Sequence, residues 1–354
     1  MNESPELDAT KAWSDKKYEY ERQLTCCGFS PCGKYVMAGS LDFHLQRWDL
    51  ESDERTTLKG HPSWIGDLAF HPDNRRLLSV DYHGGLFCWD YTKPQSKPLW
   101  ENPQAHSRWA RKVAVSGDGR FAATGGDDNL VRLWSPDGKL LRELEGHEGY
   151  IFSLMFAGDN KTLLSGDQLG VVRQWDAASG KFQRELDARV LHTYKENFLA
   201  HVGGVRSMAL DDKGSLLACG GMTNAKSNSF CPGDPLIVVF DFSSGKIKTQ
   251  LKPSAKADGP INGLRFLPDG TLAGIGEGAA GASLAFWKTD TAAPIHSIKS
   301  ASGYAVDLHP DGRRLAACFY QAEGRSGNGR HVTPEKYLSN NGSVTMYRLH
   351  EKPA

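Results

Sequence analysis

Short apolar runs alternate with turns of glycine, asparagine or aspartate along almost the whole chain. In four successive copies, the apolar residue that closes one run is followed 19 positions later by a tryptophan. These pairs are Phe29 and Trp48, Phe70 and Trp89, Val115 and Trp134, and Phe156 and Trp175. Later copies have intervals of 30, 21 and 39: Leu210 and Phe240, Phe266 and Trp287, and Leu308 and Tyr347. The pattern predicts seven copies of one supersecondary unit that bury their apolar faces against each other.

Each copy has enough apolar residues for three short strands, and the stretch that links it to the next copy supplies a fourth. In the first copy the three runs are Thr25–Phe29, Tyr35–Ser40 and Phe43–Asp49. Turn residues such as Gly33 and Asn160 supply the positive φ that tight strand connections require. The sequence therefore predicts blades of four antiparallel strands.

Two dipeptides mark the ends of the repeated unit. One ends a strand in Trp48-Asp49, Trp89-Asp90 and Trp175-Asp176, and the other begins the unit in Gly60-His61 and Gly146-His147. With this combination the chain resembles the WD-repeat (WD40) β-propeller family, of the free-standing seven-bladed type. The resemblance implies an all-β fold: a seven-bladed β-propeller of four-stranded antiparallel blades. We expect one propeller domain over residues 12–350, after a disordered tail over residues 1–11.

The two ends of the chain are predicted to share one blade. The seventh copy ends with the strand Val344–Leu349 and therefore lacks an outer strand. Ala12–Tyr20 has no other place in the repeat pattern. We expect this N-terminal strand to pair in the last blade and close the ring, so that no sheet edge stays open there.

Charge and hydropathy narrow the choice of partners. The 42 basic residues match 42 acidic ones, so no net field would attract nucleic acid or an anionic membrane. The sequence contains no long apolar span, and its polar first dozen residues do not resemble a signal peptide. We expect a cytoplasmic monomer that binds a protein or peptide partner, without nucleic-acid or membrane partners.

The cysteines suggest packing rather than a disulfide framework or a metal site. There are seven, an odd number without paired spacing. Cys26, Cys27 and Cys32 cluster in sequence, and zinc is the alternative to consider there. However, neighbouring strand residues such as Cys26 and Cys27 point to opposite faces. We expect small buried cysteines, no metal and no cofactor.

Four histidines occupy one repeated slot, nine positions before the apolar anchor of their copy: His61, His106, His147 and His201. The WD-repeat resemblance implies that this histidine bonds to a turn aspartate and, with a serine or threonine and the tryptophan, forms a structural network inside the blade. Repetition argues against catalysis. His71 and His309, each before Pro-Asp, are expected to be ordinary turn residues.

The resemblance predicts a complete network in the third copy alone. Its members are His106, Thr124, Asp128 and Trp134. The other copies lack a member: the second has His83 and the fourth has Leu169 at the aspartate position, and the first has Tyr20 in the histidine slot. We therefore expect these three networks to be incomplete.

Long inserts and large aromatic residues are predicted to lie on one face of the ring. The WD-repeat resemblance implies that the inserts 187–199, 222–235 and 321–341 lie on the face around the channel mouth, and long loops are often functional. On the same face, the position before the inner strand is Trp64, Trp109 or Tyr150, next to Arg108. Aromatic and arginine side chains dominate binding hot spots, so these four residues are the predicted partner site. The alternative is that they plug the channel or cover the blade tops.

The sequence offers no catalytic motif. It lacks the Gly-x-Ser-x-Gly elbow, the phosphate-binding loop and the zinc-protease helix. We therefore predict a non-catalytic interaction scaffold without catalytic residues. The alternative is an enzyme or ligand sensor with a small-molecule pocket at the channel mouth, lined by Asp81, His83, Asp167 and Glu277.

Overall fold

The computed structural model describes residues 6–94, 97–226, 232–253, 257–278, 282–320, 330–333, 336–338 and 341–352. Parts of two predicted inserts, residues 227–231 of one and residues 321–329, 334–335 and 339–340 of the other, lie outside the described residues. The structure confirms the predicted fold class. Seven four-stranded antiparallel sheets form the blades of a propeller, with their first strands around a central channel.

Strand bounds follow the predicted repeat closely. The first strand of the chain is β1 (Trp13–Tyr20), which belongs to the last blade. Blade 1 contains β2 (Leu24–Phe29), β3 (Tyr35–Ser40), β4 (His44–Asp49) and β5 (Arg55–Lys59). Blade 2 contains β6 (Ile65–Phe70), β7 (Arg76–Asp81), β8 (Leu86–Asp90) and β9 (Pro98–Asn102). Blade 3 contains β10 (Ala110–Val115), β11 (Ala122–Gly126), β12 (Val131–Trp134) and β13 (Leu140–Leu144).

The fourth and fifth blades are separated by an inserted hairpin. Blade 4 contains β14 (Ile151–Phe156), β15 (Thr162–Asp167), β16 (Val171–Asp176) and β17 (Phe182–Asp187). The insert forms β18 (His192–Lys195) and β19 (Ala200–Gly203), preceded by a 3-10 helix at Arg189–Leu191 and interrupted by another at Glu196–Phe198. Blade 5 contains β20 (Ser207–Leu210), β21 (Leu216–Thr223), β22 (Asp234–Asp241) and β23 (Lys246–Leu251).

The last two blades complete the ring. Blade 6 contains β24 (Ile261–Phe266), β25 (Leu272–Gly276), β26 (Ala282–Trp287) and β27 (His296–Ser300). Blade 7 begins with β28 (Gly303–Leu308) and β29 (Arg314–Phe319). A small hairpin of β30 (Arg330–Thr333) and β31 (Lys336–Leu338) follows, and the chain then returns to blade 7 as β32 (Gly342–Arg348).

The N-terminal strand closes the ring, as the sequence predicted. β1 pairs antiparallel with β32, from Trp13 opposite Arg348 to Tyr20 opposite Gly342. Tyr18 and Tyr20 are buried in the apolar cluster between blades 7 and 1. The closing strand therefore contributes side chains to a core as well as backbone hydrogen bonds.

A short turn precedes β1. Residues 1–5 of the predicted tail lie outside the described residues. Farther on, the Asp8 carboxylate accepts a hydrogen bond from the Thr10 amide at 2.9 Å, and a 3-10 helix runs over Ala9–Lys11. The Asp8 amide donates to the Leu349 carbonyl at 2.8 Å, and Ala9 is buried in the cluster between blades 6 and 7. Residues 8–11 thus pack onto the last blade.

Apolar clusters fill the seven junctions between neighbouring blades. The four tryptophans of the regular repeat are almost fully buried there: Trp48, Trp89, Trp134 and Trp175. Cys26 packs between blades 1 and 2, whereas Cys27 packs against the cluster between blades 7 and 1. Because each blade has two apolar faces, it depends on a neighbour on each side.

Two histidines link neighbouring blades on the face opposite the long loops. Nε2 of His71 lies 3.0 Å from the Gly119 carbonyl in blade 3, and Nε2 of His309 lies 2.9 Å from the Gly33 carbonyl in blade 1. The Asp73 amide donates to Nδ1 of His71 at 3.2 Å, which fixes the ring to its own turn. The expectation of ordinary turn residues was therefore too narrow.

Deleting residues 1–20 should destabilise the protein, because β32 would become an open sheet edge and the junction between blades 7 and 1 would lose Tyr18 and Tyr20. We expect a sharply lower melting temperature and aggregation, measured by calorimetry and size-exclusion chromatography. Deleting residues 1–5 leaves β1 intact and is the control. A monomeric 1–20 deletion with an unchanged melting temperature would contradict the closure.

Candidate functional site

The strand order places two kinds of connection on one face of the disc. The inner strand is entered, and the second strand is left, on the side that we call the loop face. The hairpin of β18 and β19 and the long connection between β21 and β22 lie on it. Trp64, Arg108, Trp109 and Tyr150 each precede an inner strand and therefore lie on the same face.

An exposed aromatic stack lies on the loop face over blades 2 and 3. Trp109 stacks on Tyr82 with ring centroids 4.6 Å apart and planes 4° from parallel, and Trp64 meets Tyr82 edge-on at 6.1 Å. Trp64 and Trp109 are 41% and 42% exposed. The Arg111 guanidinium lies 4.9 Å from the Trp109 ring centroid. Sequence reasoning missed Tyr82, which directly follows the second strand of blade 2.

The other two predicted residues differ in their relation to this stack. Arg108 is exposed and lines a surface depression beside Trp109 and His83, and it forms no ion pair with another described residue. Tyr150 is half-buried in blade 4 and does not stack on a described aromatic ring. The structure thus brings together Trp64, Trp109 and Arg108, with Tyr150 to one side.

A ring of seven residues surrounds the channel mouth below the stack. Each member lies four positions before the apolar anchor of its copy: Thr25, Gly66, Arg111, Phe152, Arg206, Asn262 and Tyr304. In six inner strands, pairing with the second strand shifts register at this residue, which marks a β-bulge. Bulges redirect side chains next to binding sites. The constant offset from the anchor is the sequence signal of this ring.

The ring encloses a cavity of about 220 Å³ at the channel mouth. Its other lining residues include Trp64, Tyr82, Lys112 and Tyr320. On one side, guanidinium groups flank the Phe152 ring, with Arg206 at 4.1 Å and Arg111 at 5.1 Å from its centroid. Two cations and an aromatic ring from blades 3, 4 and 5 therefore meet on one wall.

Carboxylates approach these cations from outside the cavity. Asp127 accepts hydrogen bonds from Nε and Nη2 of Arg111, the latter at 2.9 Å. Lys112 lies 3.6 Å from Asp67, and burial raises the pKa of the Asp67 carboxyl despite that neighbour. Burial and then the Glu277 carboxylate raise the pKa of Tyr304, which stays a neutral phenol at pH 7.

The structure brings the predicted network of blade 3 together. Nδ1 of His106 lies 2.8 Å from Asp128, and Nε2 lies 2.8 Å from the Thr124 hydroxyl. The Trp134 indole donates to the same hydroxyl at 2.8 Å. Burial alone would raise the pKa of Asp128, but bonds from His106 and Arg132 outweigh it and hold that pKa well below its usual range.

Blades 2 and 4 also contain complete networks, so the expectation that they lack an aspartate was wrong. In blade 2, Nδ1 of His61 lies 2.8 Å from Asp81 and Nε2 lies 2.6 Å from Ser79, which also accepts from Trp89 at 2.8 Å. In blade 4 the same contacts at 2.7–2.8 Å join His147, Asp167, Ser165 and Trp175.

The aspartate stands two positions after the serine in blades 2 and 4, but four positions after the threonine in blade 3. Gly126 occupies the earlier position in blade 3, where a Cβ atom would lie 2.7 Å from Nδ1 of His106. Asp128 therefore reaches back from the turn. The sequence signal for the other two blades was the Ser-x-Asp spacing of Ser79 with Asp81 and Ser165 with Asp167.

Two further copies depart from the repeated histidine slot. In blade 1 the Tyr20 hydroxyl donates to Asp42 at 2.6 Å, and Asp42 also accepts from Ser40, so a phenol replaces the imidazole. His201 lies in the inserted hairpin, where its Nδ1 is 2.9 Å from Nε2 of His192. The insert thus removes His201 from the blade slot, which corrects its predicted place.

The alternative pocket residues do not converge. Asp81 and Asp167 are buried, and both carboxylate oxygens of each are engaged by a histidine and by backbone amides. His83 is exposed beside Arg108. Glu277, which follows the second strand of blade 6, lies next to Tyr304 of blade 7. Within the described residues, no group of three or more histidine, cysteine or acidic side chains is arranged to hold a metal ion.

The repeats match a known family model. The model for the WD domain, G-beta repeat, matches residues 16–49, 52–90, 97–135 and 138–176, which cover the first four blades. These matches and the seven closed blades decide the assignment. The chain belongs to the WD-repeat family. The matched segments end before the three irregular copies, so this WD-repeat propeller combines a regular half with a divergent one.

Several characterised proteins resemble this WD-repeat chain. Protein ROOT INITIATION DEFECTIVE 3 of Arabidopsis thaliana is 27% identical over 67% of the chain and 51% of its own length. The guanine nucleotide-binding protein subunit beta of Lymnaea stagnalis is 30% identical over 44% of the chain and 42% of its own length. Nuclear distribution protein PAC1 of Arthroderma otae is 28% identical over 43% of the chain and 38% of its own length. The matched region spans about half of these relatives or less. In the described part of this propeller, no helix is long and apolar enough to cross a membrane.

Removing a network aspartate should destabilise the propeller without disordering the loop face. Asp81→Ala and Asp128→Ala should each lower the free energy of unfolding by about 1–3 kcal/mol, because buried donors lose their acceptor. Urea unfolding followed by tryptophan fluorescence measures this, with the exposed Asp212→Ala as control. An Asp81 variant as stable as wild type would show that the blade 2 network is dispensable.

The His61 imidazole should titrate below its ordinary value. Burial lowers its pKa from 6.5, and Asp81 only partly offsets that effect, so Asp81→Asn should lower the pKa further. As the pH falls, His61 binds a proton in the unfolded chain at a higher pH than in the folded protein. His61 should therefore reduce the free energy of unfolding as the pH falls below 6.5. NMR titration of the ring protons measures the shift. A pKa above 6.5 would contradict it.

Proposed function

We propose that this protein is a non-catalytic scaffold that docks a protein or peptide partner on the loop face. The observation that carries the proposal is the exposed stack of Trp64, Tyr82 and Trp109 beside Arg108. Interface energy concentrates in a few aromatic and arginine anchors. A stacked pair loses little side-chain freedom on binding, so its exposed area is available at low entropic cost.

The asymmetry of the disc supports the choice of face. The first turns of the blades on the opposite face are short, and two of them are occupied in contacts between blades through His71 and His309. The inserted hairpin, by contrast, exposes Tyr194, Phe198 and Leu199 on the loop face. Contiguous exposed apolar side chains are typical of interaction surfaces.

The names of the relatives agree with a role in assembly. One is called a subunit of a guanine nucleotide-binding protein, which describes a chain that works with other chains. An enzyme is the less favoured function, because Asp81 and Asp167 of the alternative pocket are committed to structural networks. We propose a cytoplasmic location and a monomeric state on the same basis as the sequence prediction.

Trp109→Ala should weaken partner binding by about 2 kcal/mol or more, roughly 30-fold, because it removes half of the stacked pair. Binding proteins should be captured from native extract, identified, purified and then measured by calorimetry against each variant. The fold should survive, since Trp109 lies outside the seven cores between blades. Matching melting temperatures would verify this.

The matched control is Phe182→Ala, which removes an exposed aromatic ring at the opposite face; Phe182 is 49% exposed. Asp118→Lys tests a charge in a turn of that face. Both should leave affinity within about twofold of wild type. If the control variants abolish binding while Trp64 and Trp109 prove dispensable, the partner uses the other face.

A further inference from the structure

Among the described residues, the lining of the cavity at the channel mouth contains cations and aromatic rings but no acidic side chain. Arg111, Lys112 and Arg206 line it, together with Trp64 and Phe152 and three tyrosines. Asp127, which accepts from Arg111, lines the depression beside Trp109, and Asp67, which faces Lys112, lines the adjoining section of the channel, which Lys112 and Arg206 also line. The described lining of the cavity therefore carries cationic donors without a carboxylate.

We propose that this cavity takes a carboxylate side chain of the docked partner, so that the partner segment is an acidic peptide. This inference rests on the proposed function. A carboxylate accepts charge-assisted hydrogen bonds from guanidinium groups. Arg111 donates to Asp127 through Nε and Nη2 only. Nη1 of Arg111 makes no hydrogen bond with a described residue.

The walls suit the stem of such a side chain. Phe152, between the two guanidinium groups, and Trp64 offer apolar contact to methylene groups. The volume of about 220 Å³ lies below the roughly 300–1,000 Å³ typical of small-molecule sites. It suits one inserted side chain better than a whole metabolite.

The cavity is continuous with the aromatic stack. Trp64 and Tyr82 belong to both, so a peptide that packs on the stack lies directly above the ring of seven residues. The ring differs from blade to blade, and Gly66 lies so close to blade 3 that a Cβ atom there would be 2.6 Å from the Ala110 carbonyl oxygen. The arginines of blades 3 and 5 make this wall of the mouth the favoured place for the carboxylate.

The test selects peptides that depend on the loop face and then removes their charge. A random-peptide phage library is selected on the full-length protein and depleted on Trp109→Ala. Selected peptides should be enriched in glutamate or aspartate. In a selected peptide, we replace the glutamate or aspartate that binding requires by glutamine or asparagine. This change should weaken binding to the wild-type protein about tenfold or more. It should weaken binding to the Arg206→Met variant by less than about twofold.

Arg265→Met is the matched control, because Arg265 lines the opposite end of the channel and faces Asp307 at 3.7 Å. This variant should retain the full effect of the amide replacement. Free glutarate should displace the peptide, and added NaCl should weaken binding. Melting temperatures verify that Arg206→Met is folded, and Arg206→Lys should restore part of the affinity.

Three results would overturn the inference. Peptides that depend on Trp109 but tolerate every amide replacement would leave the docking proposal intact and exclude the carboxylate. Inorganic phosphate that displaces the peptide more strongly than glutarate would assign the cations to a phosphate group. If selection yields no peptide that depends on Trp109, both the proposed function and this inference fail.

Discussion

Both faces of every blade are apolar, and burying them against the neighbouring blades is the constraint on which the whole structure depends. Each fully buried leucine or isoleucine in the seven junctions contributes about 1.5–3 kcal/mol relative to exposure. A blade with one free face would lose that contribution. The ring must therefore close, and β1 closes it by supplying both a strand and two buried tyrosines to the last junction.

The blade networks show how the same interaction survives a change of position. The function of the aspartate is to accept from the histidine and to hold the turn after the second strand. Asp81 and Asp167 do both from the strand end, with amides of the turn at 2.9–3.0 Å. Asp128 does so from the turn itself, because Gly126 leaves room only for the imidazole. What the blade requires is the carboxylate in space rather than at a fixed sequence position.

In this rigid ring, the residues at the channel mouth do not have to pack between blades. The residue four positions before the anchor of each copy lines the channel mouth, where its chemistry matters little for packing between blades. The seven copies accordingly carry six residue types there, and the two arginines come from blades 3 and 5 on either side of Phe152. A repeated fold thus acquires a polar and asymmetric mouth, and asymmetry is what specific recognition of one partner requires.

The sequence by itself determined the repeat, the number of blades, the closing strand and the face that carries the inserts. These follow from local periodicity and turn chemistry, which act over short distances along the chain. Trp64, Trp109 and Arg108 could be placed on that face because topology fixes where each connection lies. Only the tertiary structure decided the rest. Tyr82 joins the two tryptophans from another connection, Asp81 and Asp167 complete their networks, and Arg111 and Arg206 meet across Phe152. Such contacts join residues that are distant in sequence, and their geometry depends on how neighbouring blades pack.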